Sequence, residues 1–321
     1  MMETTTATPG PVPELKISQG VIKEPSIIVL HGTPKIGKST FSAKAPNPIF
    51  ADIERGTKHL NVARLPFIEK YSDLLTHLKF VRHGKHDHKS FVIDGLEKLA
   101  TYVEHDIVTQ RPTDEKGRSV THIEDYGWGK GHSYAQDIWD DLFDQLKDIR
   151  SSRNMEIILV GHSEVKTEED IVAGGAYKQY KLQLHPKVAS IVRYHADAIL
   201  FATREVLIER DKNGKVTSAH IEGKGKRILY TEYSPQWDAG NRLGLPYHLP
   251  LAWESFKEAV DKGEPESPEA LKQAIGGLLT RIKKEQTKQT AQKRLEEAGD
   301  DVEKLSALKD KLIVIVEERK E

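Results

Sequence analysis

Ser26-Ile-Ile-Val-Leu-His31, followed by Gly32-Thr33-Pro34-Lys35-Ile36-Gly37-Lys38-Ser39 and then Thr40-Phe-Ser-Ala-Lys44, decides the fold. The first part is a short apolar run, the pattern of a buried strand. The middle is a complete G-x-x-x-x-G-K-S phosphate-binding loop, and the last part can open a helix. The glycines let backbone N–H groups turn inward around a phosphate, at the positive end of a helix dipole. Lys38 would reach the β- and γ-phosphates of ATP, and the Ser39 hydroxyl would ligate Mg²⁺. The expected nucleotide-binding set runs from Gly32 to Thr40. Lys35 stands where many such loops carry a glycine or small residue; it adds positive charge and keeps the spacing.

The 321 residues suffice for one large or two ordinary domains. Hydrophobic residues make up 37% and charged residues 30%, and no apolar run reaches the length of a membrane span. Met1 to Pro13 is rich in Thr and Pro, lacks the basic and apolar regions of a signal peptide, and reads as a disordered arm. The chain has no cysteine, which excludes disulfides and thiolate metal sites and fits a cytoplasmic protein. The net charge of -1 gives no global pull toward nucleic acid, so any such contact must come from local clusters.

Four strand-like runs are spaced as in an α/β domain: Ile27 to Leu30, Pro48 to Ala51, Ser90 to Ile93 and Glu156 to Val160. Helical spacing recurs between them, at Leu74, Leu75, Leu78 and Val81, and at Ile138, Leu142, Leu146 and Ile149. Buried strands separated by helices predict a mostly parallel sheet. A fifth run, Asp197 to Ala202, follows a helix-like stretch from Lys187 to Tyr194. Glu205 to Glu209 and Val216 to Ile221, joined across Asn213-Gly214, predict an antiparallel hairpin extending the sheet. A helix over Leu251 to Val260 closes the region. Expected units are an arm over 1–20, a core over 21–257 and a linker with a helical tail over 258–321. Ser267 would cap the first tail helix, with Leu271, Ile275, Leu278, Leu279 and Ile282 as its stripe; a polar Lys/Gln stretch separates it from a second helix from about Asp301. The tail would pack as a helical hairpin or serve an oligomer contact.

Three polar residues stand at the ends of expected strands, where open α/β sheets bind ligands. Asp94 ends Phe91-Val-Ile-Asp94, the usual Walker B pattern, and would hold the Mg²⁺ shell; capping the next helix is its other reading. Glu54 follows the second strand and would orient or deprotonate the attacking water, with Asp52 as its competitor. His162 ends the fourth run and would sense the γ-phosphate, or be satisfied by backbone. His83-Gly-Lys-His-Asp-His88 has the look of a metal cluster but sits in a hydrophilic loop, and we read it as such a loop.

By this motif order the chain resembles the RecA-like P-loop ATPases, and within them phage-encoded nucleotide-binding proteins, some of which are single-strand-annealing recombinases. The resemblance covers the region from about residue 20 to residue 257. It implies an ATPase using ATP and Mg²⁺, homo-oligomeric with ATP at the subunit interface. It also implies action on single-stranded DNA in recombination, annealing or replication, in a host cytoplasm if phage-encoded, with a single-strand-binding protein as a further partner. It carries the catalytic carboxylate over to Glu54. His162 stands where the family has the Gln of its switch, a departure. Two mobile DNA-binding loops of the family would correspond to Ile123–His132 and to Lys166–Leu184. Tyr126, Trp128, Lys130, Tyr177, Lys178, Tyr180 and Lys181 would supply stacking faces and phosphate contacts there, unless these segments are ordered lids. Arg242 would be a finger reaching the neighbouring subunit's ATP, with Lys226 and Arg227 as alternatives and Gly240 departing from the pattern. A P-loop small-molecule kinase and a nucleotide-gated scaffold remain competing readings.

Overall fold

A computed structural model describes residues 24–169, 175–205, 207–210, 216–220, 225–262, 268–282 and 285–317. The expected arm, the Asn213-Gly214 turn, Ser267 with most of its linker, and Gly174 lie outside those residues.

The apolar run becomes β1 (Ile27–Gly32), buried along its whole length. Ile27 and Val29 enter one core and Ile28 and Leu30 another, because alternate strand residues face opposite sides of a sheet. A strand buried on both faces needs helices on both, as in parallel sheets. The elements that follow are α1 (Lys38–Ser42), β2 (Pro48–Asp52), β3 (Ala63–Arg64), α2 (Tyr71–His83), β4 (Ser90–Asp94) and α3 (Leu96–Gln110). Next come α4 (Lys130–Arg153), β5 (Glu156–Val160), β6 (Ser163–Glu169), β7 (Ala176–Leu182), α5 (Pro186–His195) and β8 (Ala198–Arg204). Then follow β9 (Leu207–Arg210), β10 (Val216–His220), β11 (Arg227–Tyr230), β12 (Gly240–Asn241), β13 (His248–Pro250) and α6 (Trp253–Lys262). Helices α2 to α5 supply residues to the first core; α1 and α6 supply Phe41, Trp253 and Phe256 to the second.

The main sheet runs β13-β11-β8-β1-β5-β4-β2-β3. Its β8-to-β3 portion is parallel, and β11, β12 and β13 join antiparallel at or beside β8. The fold is therefore the expected α/β class with a mostly parallel sheet. The antiparallel extension, however, is made by β11 to β13. The expected hairpin forms as β9 with β10, a two-stranded ladder of its own.

Two helices depart from the sequence reading. The helix after the phosphate loop ends at Ser42 after five residues. Pro46 and Pro48 follow closely, and a residue before proline is pushed out of the helical region. In the tail, the polar Lys/Gln stretch is itself helical: α7 (Pro268–Arg281), α8 (Glu285–Ala298) and α9 (Val302–Glu317) make three helices. Ala291, Leu295 and Ala298 recur at helical spacing and join Leu271, Ile275, Leu279, Leu305, Leu308 and Leu312 in a separate apolar cluster. Among the described residues, no helix is long and apolar enough to cross a membrane.

His31 locks the strand end that launches the phosphate loop. It is fully buried; its Nε2 donates to the Asp238 carbonyl at 2.6 Å, and its Nδ1 accepts from the Ser163 hydroxyl at 2.9 Å. Burial pushes its pKa from 6.5 down to about 4. The neutral ring's contribution to stability is complete above pH 6.5 and declines as pH falls toward 4. At pH 5 this group should cost the fold about 2 kcal/mol relative to pH 7. Urea midpoints of wild type and His31→Gln at both pH values check this: the variant should lose less on acidification, and an equal loss would refute the assignment.

Candidate active site

Four strand ends converge on one cleft of about 570 Å³. Backbone hydrogen bonds hold them level: Thr33 N–H to Ala202 O at 3.3 Å, Gly161 N–H to Leu30 O at 3.0 Å, Gly95 N–H to Val160 O at 3.0 Å and Ile53 N–H to Asp94 O at 3.0 Å. Strand β5 lies between β1 and β4, so Gly161-His162 sits between the phosphate loop and Asp94.

Lys35 to Thr40 line the cleft. The backbone turns through the left-handed region at Lys35 (φ 58°) and Gly37 (φ 114°). Glycine takes this conformation freely, whereas at Lys35 it costs on the order of 1 kcal/mol. A five-residue α1 supplies a smaller dipole than the sequence suggested, which leaves the loop N–H groups and Lys38 as the main anion donors. Lys38 is buried, and its Nζ donates to the Gly32 carbonyl at 3.1 Å and the Thr33 carbonyl at 3.2 Å. Burial lowers its pKa, while Glu97, Asp94 and Glu54 act against that shift. A second cation lies over the loop in the same chain: Arg227 donates from Nη1 to the Ile36 carbonyl at 3.3 Å.

The competition between Asp52 and Glu54 is decided by partners. Asp52 is buried and accepts from the Gly56 and Thr57 N–H groups, both at 3.0 Å, and from the Thr57 hydroxyl. It holds the turn after β2. Glu54 lines the cleft, and its Oε2 meets His162 Nε2 at 3.3 Å. Arg55 pairs with neither carboxylate through an ion pair; its guanidinium stacks 3.3 Å from the Phe67 ring centroid. The His162 hydrogen bond holds the Glu54 pKa below the carboxylate range, and the same bond raises that of His162. Gly95 makes the geometry possible: at φ 117° it is left-handed, and a Cβ there would lie 2.8 Å from Glu54 Cγ.

Asp94 is buried beside Asp52 in register, and burial pushes its pKa up to about 6, with the Ser39 hydroxyl pulling the other way. Its Oδ2 has no hydrogen-bond partner among the described residues. A buried carboxylate oxygen left unpaired beside a serine hydroxyl fits a hard, oxygen-seeking cation. Ser39 and Asp94 would hold Mg²⁺, which supplies charge neutralisation on the nucleotide phosphates when bound.

Sequence reasoning overlooked Glu97, whose ligating atom lies with those of Glu54 and His162 within 4.8 Å of one another. Its signal was its place in the first helical turn after Asp94-Gly95. Arg227 appeared only as a finger acting in trans. The other expected residues lie outside the cleft. Arg242 donates from Nη2 to the Tyr194 carbonyl at 3.2 Å. Tyr126 sits in a short 3₁₀ turn over Ile123–Tyr126, buried, and its hydroxyl donates to the Ile107 and Arg111 carbonyls at 3.2 and 2.6 Å. It is a core residue and offers no stacking face, which corrects that expectation. Trp128 is fully exposed, and Lys130 opens α4 in an ion pair with Glu115.

The segment read as a second mobile loop is largely an antiparallel ribbon, β6 with β7, in register from Ser163↔Leu182 to Glu169↔Ala176. Val165, Thr167, Lys178 and Tyr180 share one face of this ribbon, the more exposed one. Tyr180 stacks on Phe201 at 5.2 Å, Tyr177 and Tyr233 hydroxyls meet at 3.1 Å, and Lys181 pairs with Glu168 at 2.6 Å. The histidines near residue 86 are also spent structurally: His86 bonds the Val81 carbonyl and His88 the Asn47 side chain.

The raised Asp94 pKa makes a testable demand. Its contribution to stability is present below 3.8 and lost as pH rises through about 6, so the ionised group is a burden at neutral pH. Asp94→Asn should stabilise the metal-free protein at pH 7.5 by up to about 3 kcal/mol while abolishing Mg²⁺-dependent nucleotide binding. Thermal melts and nucleotide titration check both halves; unchanged stability with unchanged Mg²⁺ dependence would contradict the assignment.

A family model for the AAA domain matches residues 24–243, the span that carries the main sheet apart from its edge strand β13, the phosphate loop and the cleft. No curated protein matches the chain. Domains of this type bind nucleotide and hydrolyse ATP, as a rule with Mg²⁺. With more than half of its length matched and a complete phosphate loop at the end of β1, the chain belongs to the AAA-domain family of P-loop proteins.

Proposed function

We propose that the chain hydrolyses ATP in this cleft and couples hydrolysis to single-stranded DNA, as in recombination, annealing or replication. In this reading Lys38, Arg227 and the loop N–H groups hold the phosphates, and Ser39 with Asp94 holds Mg²⁺. Glu54 holds the attacking water. Its lowered pKa keeps it ionised at neutral pH and makes it a weak proton acceptor, so its main work is orientation and charge.

The observation that carries the coupling is His162. Its ring meets Glu54, and the chain continues from it directly into β6. The Gln183 N–H to His162 O bond, 3.0 Å, closes the ribbon at the same residue. A change at Glu54 on loss of the γ-phosphate therefore bears on the ribbon's base. Lys178 and Tyr180 on the ribbon, with Tyr177 and Lys181 beside them, supply cations and aromatic faces for a strand of nucleic acid, and so do Trp128 and Lys130. The exposed pair of Lys130 with Glu115 is weak enough to exchange a carboxylate for a phosphate. Oligomerisation, with Arg242 completing a neighbour's site, belongs to the same proposal.

Hydrolysis assays with and without single-stranded DNA test it on wild type, Lys38→Ala and Glu54→Gln. DNA should stimulate wild type, and DNA retention should weaken as salt rises. Lys38→Ala should lose nucleotide binding. Glu54→Gln should bind nucleotide but lose about 10²–10³ in rate. Full activity in Lys38→Ala sinks hydrolysis at this loop; no stimulation and no DNA retention sinks the DNA part.

A further inference from the structure

We propose that Glu97 is a positioning residue for this hydrolysis: its carboxylate fixes the backbone of His162, and through it the ring that meets Glu54. The inference rests on the hydrolytic reading of the cleft.

Glu97 stands in the first turn of α3, three residues after Asp94. One carboxylate oxygen, Oε1, accepts from the His162 N–H. The other, Oε2, is buried without a partner among the described residues. The approach is close: a Cβ at Gly161 would lie 2.8 Å from Oε1 and 2.7 Å from Leu182 Cδ1, so a side chain there would push the carboxylate aside. His162 is then held at three points: its N–H on Glu97, its carbonyl on the Gln183 N–H, and its Nε2 on Glu54.

These contacts have different stiffness. The Glu54 contact is long and half exposed. The Gln183 contact belongs to the ribbon and moves with it. Glu97 is the one that ties His162 to β4 and α3, the elements that carry Asp94. Truncating it leaves β5 held through Val160 and Gly161 but frees His162 to follow the ribbon, and its ring then loses its fixed relation to Glu54 and Asp94. Misplacement of about 1 Å at a reacting group costs as much as 10²-fold in rate. Nucleotide binding uses the loop, Lys38 and Mg²⁺; Glu97 is also one of three carboxylates that offset the burial of Lys38, a role that needs its charge and not the His162 bond, so Asp keeps it and Ala and Gln do not.

Steady-state ATP hydrolysis on the full chain, with and without single-stranded DNA, separates the possibilities through Glu97→Ala, Glu97→Asp and Glu97→Gln. Gln keeps length and an acceptor oxygen; Asp keeps charge but is too short to reach the His162 N–H. Ala and Asp should lower kcat by about tenfold or more, Asp, which keeps the charge near Lys38, should leave KM for ATP within about threefold, and Gln should restore most of kcat. Wild-type kcat in Ala and Asp, or no rescue by Gln, overturns the inference. If Ala has no cooperative melt, the Asp and Gln pair decides by the same criteria. A wild type that does not hydrolyse ATP overturns the functional reading and this inference together, whereas active wild type with equally active Ala and Asp variants overturns this inference alone.

Discussion

The buried ammonium of Lys38 is the charge around which the cleft is built. Bringing a cation out of water costs several kcal/mol, and burial indeed lowers the pKa of this one. It is compensated by the Gly32 and Thr33 carbonyls and by Glu97, Asp94 and Glu54, which come from the end of β4, the start of α3 and the turn after β2. Glu54 and Glu97 close in beside positions without side chains, Gly95 and Gly161. The backbone bonds joining the ends of β1, β2, β4, β5 and β8 then keep the compensation in place. Phosphate oxygens entering the cleft would take over the role the loop carbonyls play toward Lys38.

The carboxylates near Lys38 divide the labour through their surroundings. Asp52 spends its oxygens on backbone and a threonine hydroxyl. Asp94 is buried and Glu97 half-buried, each with a buried oxygen left unpaired among the described residues, and both have raised pKa values. Glu54 faces the cleft with a lowered one, set by His162. Divergent pKa values within a few ångströms are what groups with different tasks show, and in the proposed reading those tasks are a cation for Asp94, water for Glu54 and the backbone that carries His162 for Glu97.

The sheet, the phosphate loop, Asp94, and Glu54 and His162 as separate strand-end residues were legible because each rests on local pattern, an apolar run that ends in a polar residue; that Glu54 and His162 meet was not. What was not legible depends on tertiary context. Tyr126 sits in a glycine-rich segment with Trp128, and sequence cannot tell which ring the core will claim; the carbonyls of Ile107 and Arg111 claim Tyr126. The ribbon of β6 and β7 has charged residues on both faces, which hides its strand period, and it is held by Tyr180 on Phe201 and by His31 on Ser163. Helix α8 was masked by its polarity, since two alanines and a leucine suffice for its buried side. Glu97 was hidden because Asp94-Gly95 reads as the end of a motif, while its partner is a backbone N–H that no side-chain pattern reports.

A structure of the full chain with Mg²⁺, ADP and aluminium fluoride, the mimic of the transferred phosphoryl group, tests the central claim most directly. The account predicts the cation on Ser39 and Asp94, Lys38 on the phosphates, and a water in line with the fluoride held by the Glu54 carboxylate. A water held instead by Asp52 or by no carboxylate, with Glu54 turned away from the fluoride, would contradict it.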